Sequence, residues 1–114
     1  MDLIQWENAA AAVEALTEVL KTRPPDVCYA QVCVALEQYP NAAELQSIAG
    51  VCFLLQENDE KALEYFTEAA RLAPTELRYL VNQAELLAKL GRTDQAMEIL
   101  QQALNQDPRY EAAY

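Results

Sequence analysis

The sequence predicts an all-α protein built from repeated antiparallel helix hairpins, and three observations predict this fold class. Similar residues recur at a fixed spacing of 34 positions, a period typical of helical repeat proteins. Only two glycines occur in 114 residues, so the chain offers few positions that would weaken a helix. Capping residues and prolines separate the apolar segments and leave linkers of only a few residues, as helix hairpins require.

The repeat is clearest from about residue 43 to residue 107, where small, bulky and proline positions recur in register. The matching pairs are Ala62 with Ala96, Phe66 with Leu100, Ala69 with Ala103, and Pro74 with Pro108. One period earlier, Ala35 and Pro40 keep a degenerate first copy in register. We therefore predict a single domain over 1–114, with a divergent repeat at about 1–42, repeats at 43–76 and 77–110, and the start of a fourth helix pair at 111–114.

Local signals place the helices of the first and second copies. In the first copy we expect a helix from about Leu3 to Thr22, a turn over the breaker cluster at 23–26, and a second helix to about Tyr39. In the second copy Asn41 is the predicted N-cap of a helix that runs to about Gln56. Asn58 is the predicted N-cap of the next helix, which ends before Pro74.

The third copy carries the same kinds of signal. Thr75 is its predicted N-cap, and Gly91 supplies a left-handed stop at the end of its first helix. Thr93 begins the second helix, whose end Pro108 marks. Because two helices approach closely only where side chains are small, Gly50 is expected to face Ala62 in the second hairpin.

Composition excludes several classes of partner. Eighteen acidic and eight basic residues give a net charge of -10, which repels a nucleic-acid backbone. No apolar run reaches the roughly 18 to 20 residues that a bilayer requires, so membrane insertion is not expected. The N-terminus lacks the features of a secretory signal, and we expect a cytoplasmic protein. The three cysteines, an odd number, are predicted to be reduced thiols in the core.

Catalysis is the function class that these residues favour least. The chain has no histidine, which excludes Ser-His and Cys-His nucleophile pairs. Its two isolated glycines form no phosphate-binding loop, and Cys28 and Cys33 lack the second pair of a zinc site. Glu64 and Glu68 share a helix face but are typical of a solvated surface. We predict no catalytic residue, no metal and no cofactor.

The residues that recur resemble the tetratricopeptide repeat family, which has small residues where helices cross, bulky residues around them, and a proline after the second helix. Residues 43–76 and 77–110 both follow this pattern, although Gln46 and Gln83 stand where the family has apolar residues. The resemblance implies a right-handed superhelical stack whose concave face is lined by the first helix of each repeat. Proteins of this family generally bind peptide segments of their partners.

The resemblance also implies which residues line the concave groove. The candidate peptide-binding residues are Val13, Thr17, Glu44, Ser47, Ile48, Val51, Leu54, Arg78, Val81, Asn82, Glu85 and Lys89, flanked by Ala10, Glu14, Leu20, Lys21, Leu55 and Ala88. We expect a ligand with an apolar centre and an acidic group near Arg78, Asn82 and Lys89, unless these charges merely solvate a helix. A subgroup of the family clamps the C-terminal carboxylate of chaperones, but only Arg78 keeps the positive charge such a clamp needs.

The predicted function is therefore a protein interaction scaffold that binds a peptide segment of a partner. One alternative is an N-terminal recruiting domain of a larger enzyme of the glycosyltransferase or sulfotransferase type. Another is a small chaperone of a bacterial secretion system. Self-association through the C-terminal end is a further possibility, because that end lacks the polar capping helix of repeat arrays.

Overall fold

The computed structural model describes residues 6–107, which form six α-helices and no strand. The helices are α1 (Ala9–Thr22), α2 (Pro25–Gln38), α3 (Ala43–Leu55), α4 (Asp59–Leu72), α5 (Leu77–Lys89) and α6 (Thr93–Gln106). Consecutive helices pair as hairpins, and the hairpins stack side by side into an elongated array of 47 × 26 × 21 Å. Pro108 and the predicted start of a fourth helix pair at 111–114 lie outside the described residues.

The predicted helix ends at Asn58, Gly91 and Thr93 are confirmed. The Asn58 side chain accepts a hydrogen bond from the backbone N–H of Lys61 at 3.3 Å and so caps α4. Gly91 has a φ of +83°, in the left-handed region that ends many helices. α6 begins at Thr93 as predicted.

The ends of α3 and α5 have the same geometry, 34 residues apart. After α5, the Gly91 N–H donates to Ala88 C=O at 3.0 Å, and the next N–H donates to Leu87 C=O at 2.7 Å. After α3, the Glu57 N–H donates to Leu54 C=O at 3.0 Å, and the next N–H donates to Phe53 C=O at 2.9 Å. Both are Schellman motifs. Glu57, with a φ of 61°, therefore occupies a left-handed position that favours glycine.

Two predicted N-caps are wrong. α3 and α5 begin one residue later than Asn41 and Thr75 require, with Ala42 and Glu76 at the cap positions and no side-chain hydrogen bond there. At both ends an extended residue separates the predicted cap from the first helical turn. Asn41 and Thr75 therefore lie one residue too early in the chain to cap the free backbone N–H groups of the first helical turn.

The first hairpin also differs from the prediction at its helix starts. α1 begins at Ala9, because Asn8 is extended and its side chain accepts a hydrogen bond from Ala11 N–H at 2.8 Å. Residues 6–8 are therefore not helical, contrary to the prediction, and the predicted start at about Leu3 lies outside the described residues. α2 begins at Pro25, so the predicted turn over 23–26 is shorter. Proline is well tolerated in the first helical position, where its missing N–H would have had no helical partner.

Three hydrophobic clusters form the core, and each contains residues of neighbouring hairpins. The first, mainly from α1, α2 and α3, comprises Ala12, Leu16, Cys28, Val32, Ala35, Leu45, Ile48, Ala49 and Cys52. The second comprises Ala62, Leu63, Phe66, Ala84, Leu86, Leu87 and Ala96, and the third Ala69, Ala70, Tyr79, Leu80 and Ala103. Because every cluster crosses a boundary between hairpins, the hairpins share their stability.

Gly50 allows α3 and α4 to approach closely, but the side chain nearest to it is not the one expected. A β-carbon at Gly50 would lie 3.0 Å from Phe66 Cζ, so the nearest side chain is Phe66 and not Ala62. The Phe66 ring is 1% exposed and occupies the space that a side chain at position 50 would need. The aromatic ring of Phe66 on α4 thus packs into the space that the missing side chain of Gly50 leaves on α3.

The junction of the first two hairpins holds an aromatic cluster of Tyr29, Phe53 and Tyr65. The ring centroids of Tyr29 and Phe53 are 4.7 Å apart, and Phe53 stacks on Tyr65 at 5.6 Å. The two tyrosine hydroxyl oxygens are hydrogen-bonded at 2.7 Å. This bond, together with burial, raises the pKa of Tyr29.

All three cysteines are free, as predicted. Cys28 and Cys52 are buried in the first cluster, whereas Cys33 is half-buried. Burial raises the pKa of the Cys52 thiol to about 12 and also raises that of Cys28. These two thiols are therefore neutral core side chains at physiological pH.

Candidate peptide-binding groove

Two adjoining cavities lie between α1, α3 and α5, the first helices of the three hairpins. The larger, of about 390 Å³, is lined by Ala9, Ala10, Val13, Glu14, Ala42, Ala43, Glu44, Ala73, Glu76, Arg78 and Tyr79. The smaller, of about 140 Å³, is lined by Val13, Thr17, Glu44, Ser47, Ile48, Arg78 and Tyr79. Because four residues line both cavities, we treat them as one surface and call it the inner groove.

Half of the twelve candidate residues line the inner groove. They are Val13, Thr17, Glu44, Ser47, Ile48 and Arg78. Ile48 is only 8% exposed and belongs to the first core cluster, so it forms the floor of the smaller cavity. Glu44 and Arg78 are exposed and form the rim.

The other six candidates lie outside these two cavities: Val51, Leu54, Val81, Asn82, Glu85 and Lys89. Val51 and Leu54 are half-buried and pack against the second core cluster. Val81 is only 7% exposed. Of these apolar candidates, Val81 is thus a core residue, whereas Val51 and Leu54 keep part of their surface exposed.

Arg78 extends across the rim of the inner groove. Its guanidinium carbon lies 5.0 Å from the centroid of the Tyr79 ring, and Nη2 donates a hydrogen bond to Tyr79 Oη at 3.2 Å. Glu44 and Glu76 carboxylate oxygens lie 3.9 and 3.7 Å from its nitrogens. Burial raises the pKa of Tyr79, against the opposing effect of Arg78, so the phenol is neutral at pH 7.

Lys89 lies outside the inner groove. Its Nζ is 3.3 Å from Asp59 Oδ2 at the start of α4. Eleven residues separate it from Arg78, which corresponds to about 16 Å along a helix. The structure therefore does not bring Arg78 and Lys89 together around one acidic group, and Arg78 already faces two carboxylates.

Sequence reasoning missed Tyr79, Glu76 and every alanine of the groove wall except Ala10. Tyr79 is 2% exposed, yet its ring and hydroxyl contact the Arg78 side chain. Glu76, Ala42 and Ala73 belong to the short connections before α5 and α3. The one signal in the sequence that could have indicated this cavity is an alanine in the connection before each helix, Ala42 before α3 and Ala73 before α5. Such small residues leave space beside the first turns.

The described part of the chain shows no sign of a metal-binding group or a membrane-spanning helix. Among residues 6–107 no group of three or more Cys, Asp or Glu side chains is arranged to hold a metal ion, and no helix has the length and apolar character to cross a bilayer. Glu64 pairs with Lys61 at 4.0 Å and Glu68 pairs with Arg71, both on exposed surfaces. This agrees with the interpretation of Glu64 and Glu68 as a solvated helix face.

Stacked helix hairpins with a groove along their first helices define a helical repeat protein of the solenoid class. The tetratricopeptide repeat profile matches residues 53–114, which is more than half of the chain. The chain belongs to the tetratricopeptide repeat family, and the predicted right-handed superhelical stack of antiparallel hairpins is confirmed.

Solved structures show the same fold at low sequence identity. The crystal structure of MamA has a TM-score of 0.82 and 15% identity, with 94% of this chain and 63% of that chain covered. MamA from Desulfovibrio magneticus RS-1 has a TM-score of 0.79 and 16% identity, over 92% of this chain and 59% of that one. A mutant O-GlcNAc transferase from Thermobaculum terrenum has a TM-score of 0.74 and 22% identity, over 96% of this chain and 22% of that one.

The chain thus spans less than two thirds of the length of each of these MamA proteins and about a fifth of the transferase. No curated protein sequence matches it significantly. At these identities the likeness shows the fold alone.

Proposed function

We propose that this protein is an interaction scaffold whose inner groove binds a peptide segment of a partner protein. The observation that carries the proposal is the convergence of three helices, one from each hairpin, around a cavity of about 390 Å³. This volume falls within the range of roughly 300 to 1,000 Å³ found for ligand sites. Alanines line much of the wall, so the backbone of a ligand can approach the helices closely.

The groove also has the mixture of surfaces that peptide recognition requires. Val13 offers apolar surface above the buried side chains of Ile48 and Tyr79. Ser47 offers a hydroxyl group, and the Thr17 hydroxyl, which donates to Val13 C=O at 2.7 Å, can accept a hydrogen bond. Charged side chains stand at the rim. A peptide can therefore bury apolar side chains while its polar groups remain hydrogen-bonded, which limits the cost of desolvation.

The test is to fill the cavity without disturbing the core. Ala10 is exposed and lines the larger cavity, so Ala10→Trp places an indole in the groove. Ala30 is exposed on α2 and lies outside both cavities, so Ala30→Trp is the matched control. Peptides selected from a random phage-displayed library would serve as ligands, with affinity measured by fluorescence anisotropy.

We expect Ala10→Trp to weaken binding of the selected peptides at least tenfold, about 1.4 kcal/mol, and Ala30→Trp to leave it unchanged. Circular dichroism would verify that both variants keep their helical content. Equal affinity of Ala10→Trp and the native chain would contradict the proposal, as would failure of the library to yield any binder.

A second candidate function is recruitment of substrate for a catalytic domain in a larger protein. It is favoured by the occurrence of this fold within the much longer chain of the O-GlcNAc transferase, of which it covers 22%. The test is to sequence the gene beyond the codon for Tyr114. A reading frame that continues into a catalytic domain would support this function, and a stop codon there would exclude it.

A further inference from the structure

We propose that the segment bound in the inner groove carries a basic side chain, Arg or Lys, seated among Glu14, Glu44 and Glu76. This inference rests on the proposed function, because it names the chemistry of the ligand of the same groove. It also reverses the acidic group that the sequence led us to expect. Three features of the groove support it.

The first feature is the balance of charge in the larger cavity. Glu14, Glu44 and Glu76 line it against the single cation Arg78, which leaves an excess of two negative charges. Glu14 is exposed and forms no ion pair with any of residues 6–107. A basic ligand can form an ion pair with the Glu14 carboxylate without displacing any partner, whereas an acidic ligand is repelled by it.

The second feature is the set of helix ends at the cavity. The N-termini of α1, α3 and α5 are positive ends, each equivalent to roughly half a charge, and would favour an anion. Asn8 already caps α1 through its side chain. Glu44 lies in the first turn of α3, and Glu76 lies at the cap position of α5. A full negative charge at each of these two ends exceeds the partial positive charge of the helix, so the cavity remains negative.

The third feature is Arg78 itself, which shows that this wall accommodates a guanidinium. The Arg78 group lies over the buried Tyr79 ring at 5.0 Å, a distance at which a cation is attracted to the ring face. Its separations from Glu44 and Glu76, 3.9 and 3.7 Å, are too long for hydrogen bonds. Both carboxylates therefore keep acceptor sites for a ligand that can donate at shorter range.

These features predict the sign of an effect that distinguishes the two ligand classes. Arg78→Met removes the internal cation but keeps a long, flexible side chain over Tyr79. A basic ligand then meets three carboxylates without competition, and its binding should tighten severalfold. An acidic ligand would lose its one favourable charge and bind more weakly. Because Arg78 is exposed, this substitution should leave the fold intact.

The experiment uses a random heptapeptide library on phage, selected against the full chain at physiological salt. We expect bound peptides to be enriched in Lys and Arg and depleted in Asp and Glu. The strongest binder and versions with each Lys or Arg replaced by Gln would then be measured by fluorescence anisotropy. We expect Glu14→Gln/Glu44→Gln to weaken binding about tenfold. The control Glu37→Gln/Glu64→Gln makes the same change in net charge on exposed residues of α2 and α4 and should bind normally.

Enrichment of acidic peptides, or weaker binding of the selected peptides by Arg78→Met, would overturn the basic preference. Equal losses in the two double variants would also overturn it, because the attraction would then come from the total charge of -10 and not from the groove. These outcomes differ from failure of the proposed function, which is shown by an absence of binders or by full affinity of Ala10→Trp.

Discussion

Replacing Glu57 with glycine should stabilise the protein, because Glu57 is held at a φ of 61° by the Schellman motif that ends α3. A left-handed conformation costs an L-residue about 1–2 kcal/mol. Glycine avoids this cost but loses about 0.5–1 kcal/mol through its greater freedom in the unfolded chain. We therefore expect Glu57→Gly to raise the free energy of unfolding by roughly 0.5–1 kcal/mol.

Position 91 of the next repeat offers the reverse experiment. Gly91 has a φ of +83°, and a β-carbon there would have no atom within 4 Å. The cost of Gly91→Ala is thus a backbone cost alone, and we expect a loss of about 1 kcal/mol. Glu57→Ala is the matched control at position 57, because it removes the charge but keeps the β-carbon and the left-handed strain.

Urea unfolding followed by far-UV circular dichroism would measure these differences. For a domain of this size, about 1 kcal/mol corresponds to a change of about 4 °C in Tm, which thermal melts would resolve. The reasoning is refuted if Glu57→Gly is no more stable than Glu57→Ala. It is also refuted if Gly91→Ala is as stable as the native chain.

Two further predictions concern the tyrosines and the thiols. Since the hydrogen bond between the Tyr29 and Tyr65 hydroxyls, together with burial, raises the pKa of Tyr29, the folded state favours the neutral phenol. The stabilising contribution of the neutral Tyr29 phenol is complete below the unfolded pKa of about 10 and is lost as pH rises above it. Between about pH 9 and pH 11, the free energy of unfolding should therefore fall less steeply with pH for Tyr29→Phe than for the native chain. A thiol reagent at pH 8 should modify the half-buried Cys33 first. The buried Cys28 and Cys52 should react only as fast as the core opens. Mass spectrometry of partly labelled protein would test this order, and modification of Cys52 before Cys33 would contradict it.

The fold could be predicted from the sequence because its main signals are local and recur. Asn58 caps its own helix, and Gly91 adopts its own backbone angle, so neither depends on distant residues. Asn41 and Thr75 failed as caps because the path of the preceding chain decides which residue enters the first turn. Gly50 was rightly assigned to a close contact, but its neighbour Phe66 is set by how two helices rotate against each other, and a repeat pattern does not specify that rotation.

The groove could be predicted only in part. The resemblance placed the candidate residues on α1, α3 and α5, the helices that surround the inner groove, and those near the first turns, such as Glu44 and Arg78, line it. Lys89 could not be placed from the sequence, because a long side chain reaches whichever acidic group lies nearby, here Asp59 thirty positions earlier. The repeat boundaries, the cytoplasmic location and self-association through the C-terminal end stay predictions.

The alanines of the inner groove have a consequence for how this protein can be altered. The shape of the cavity is set by side chains that are short, and Ala10 contributes to it while remaining exposed. A larger residue at that position changes the outline offered to a ligand but removes no atom from the three core clusters. Under the proposed function, recognition and folding would rest on largely separate residues of α1, and variants with new ligand preferences could be sampled there without first compensating for a loss of stability.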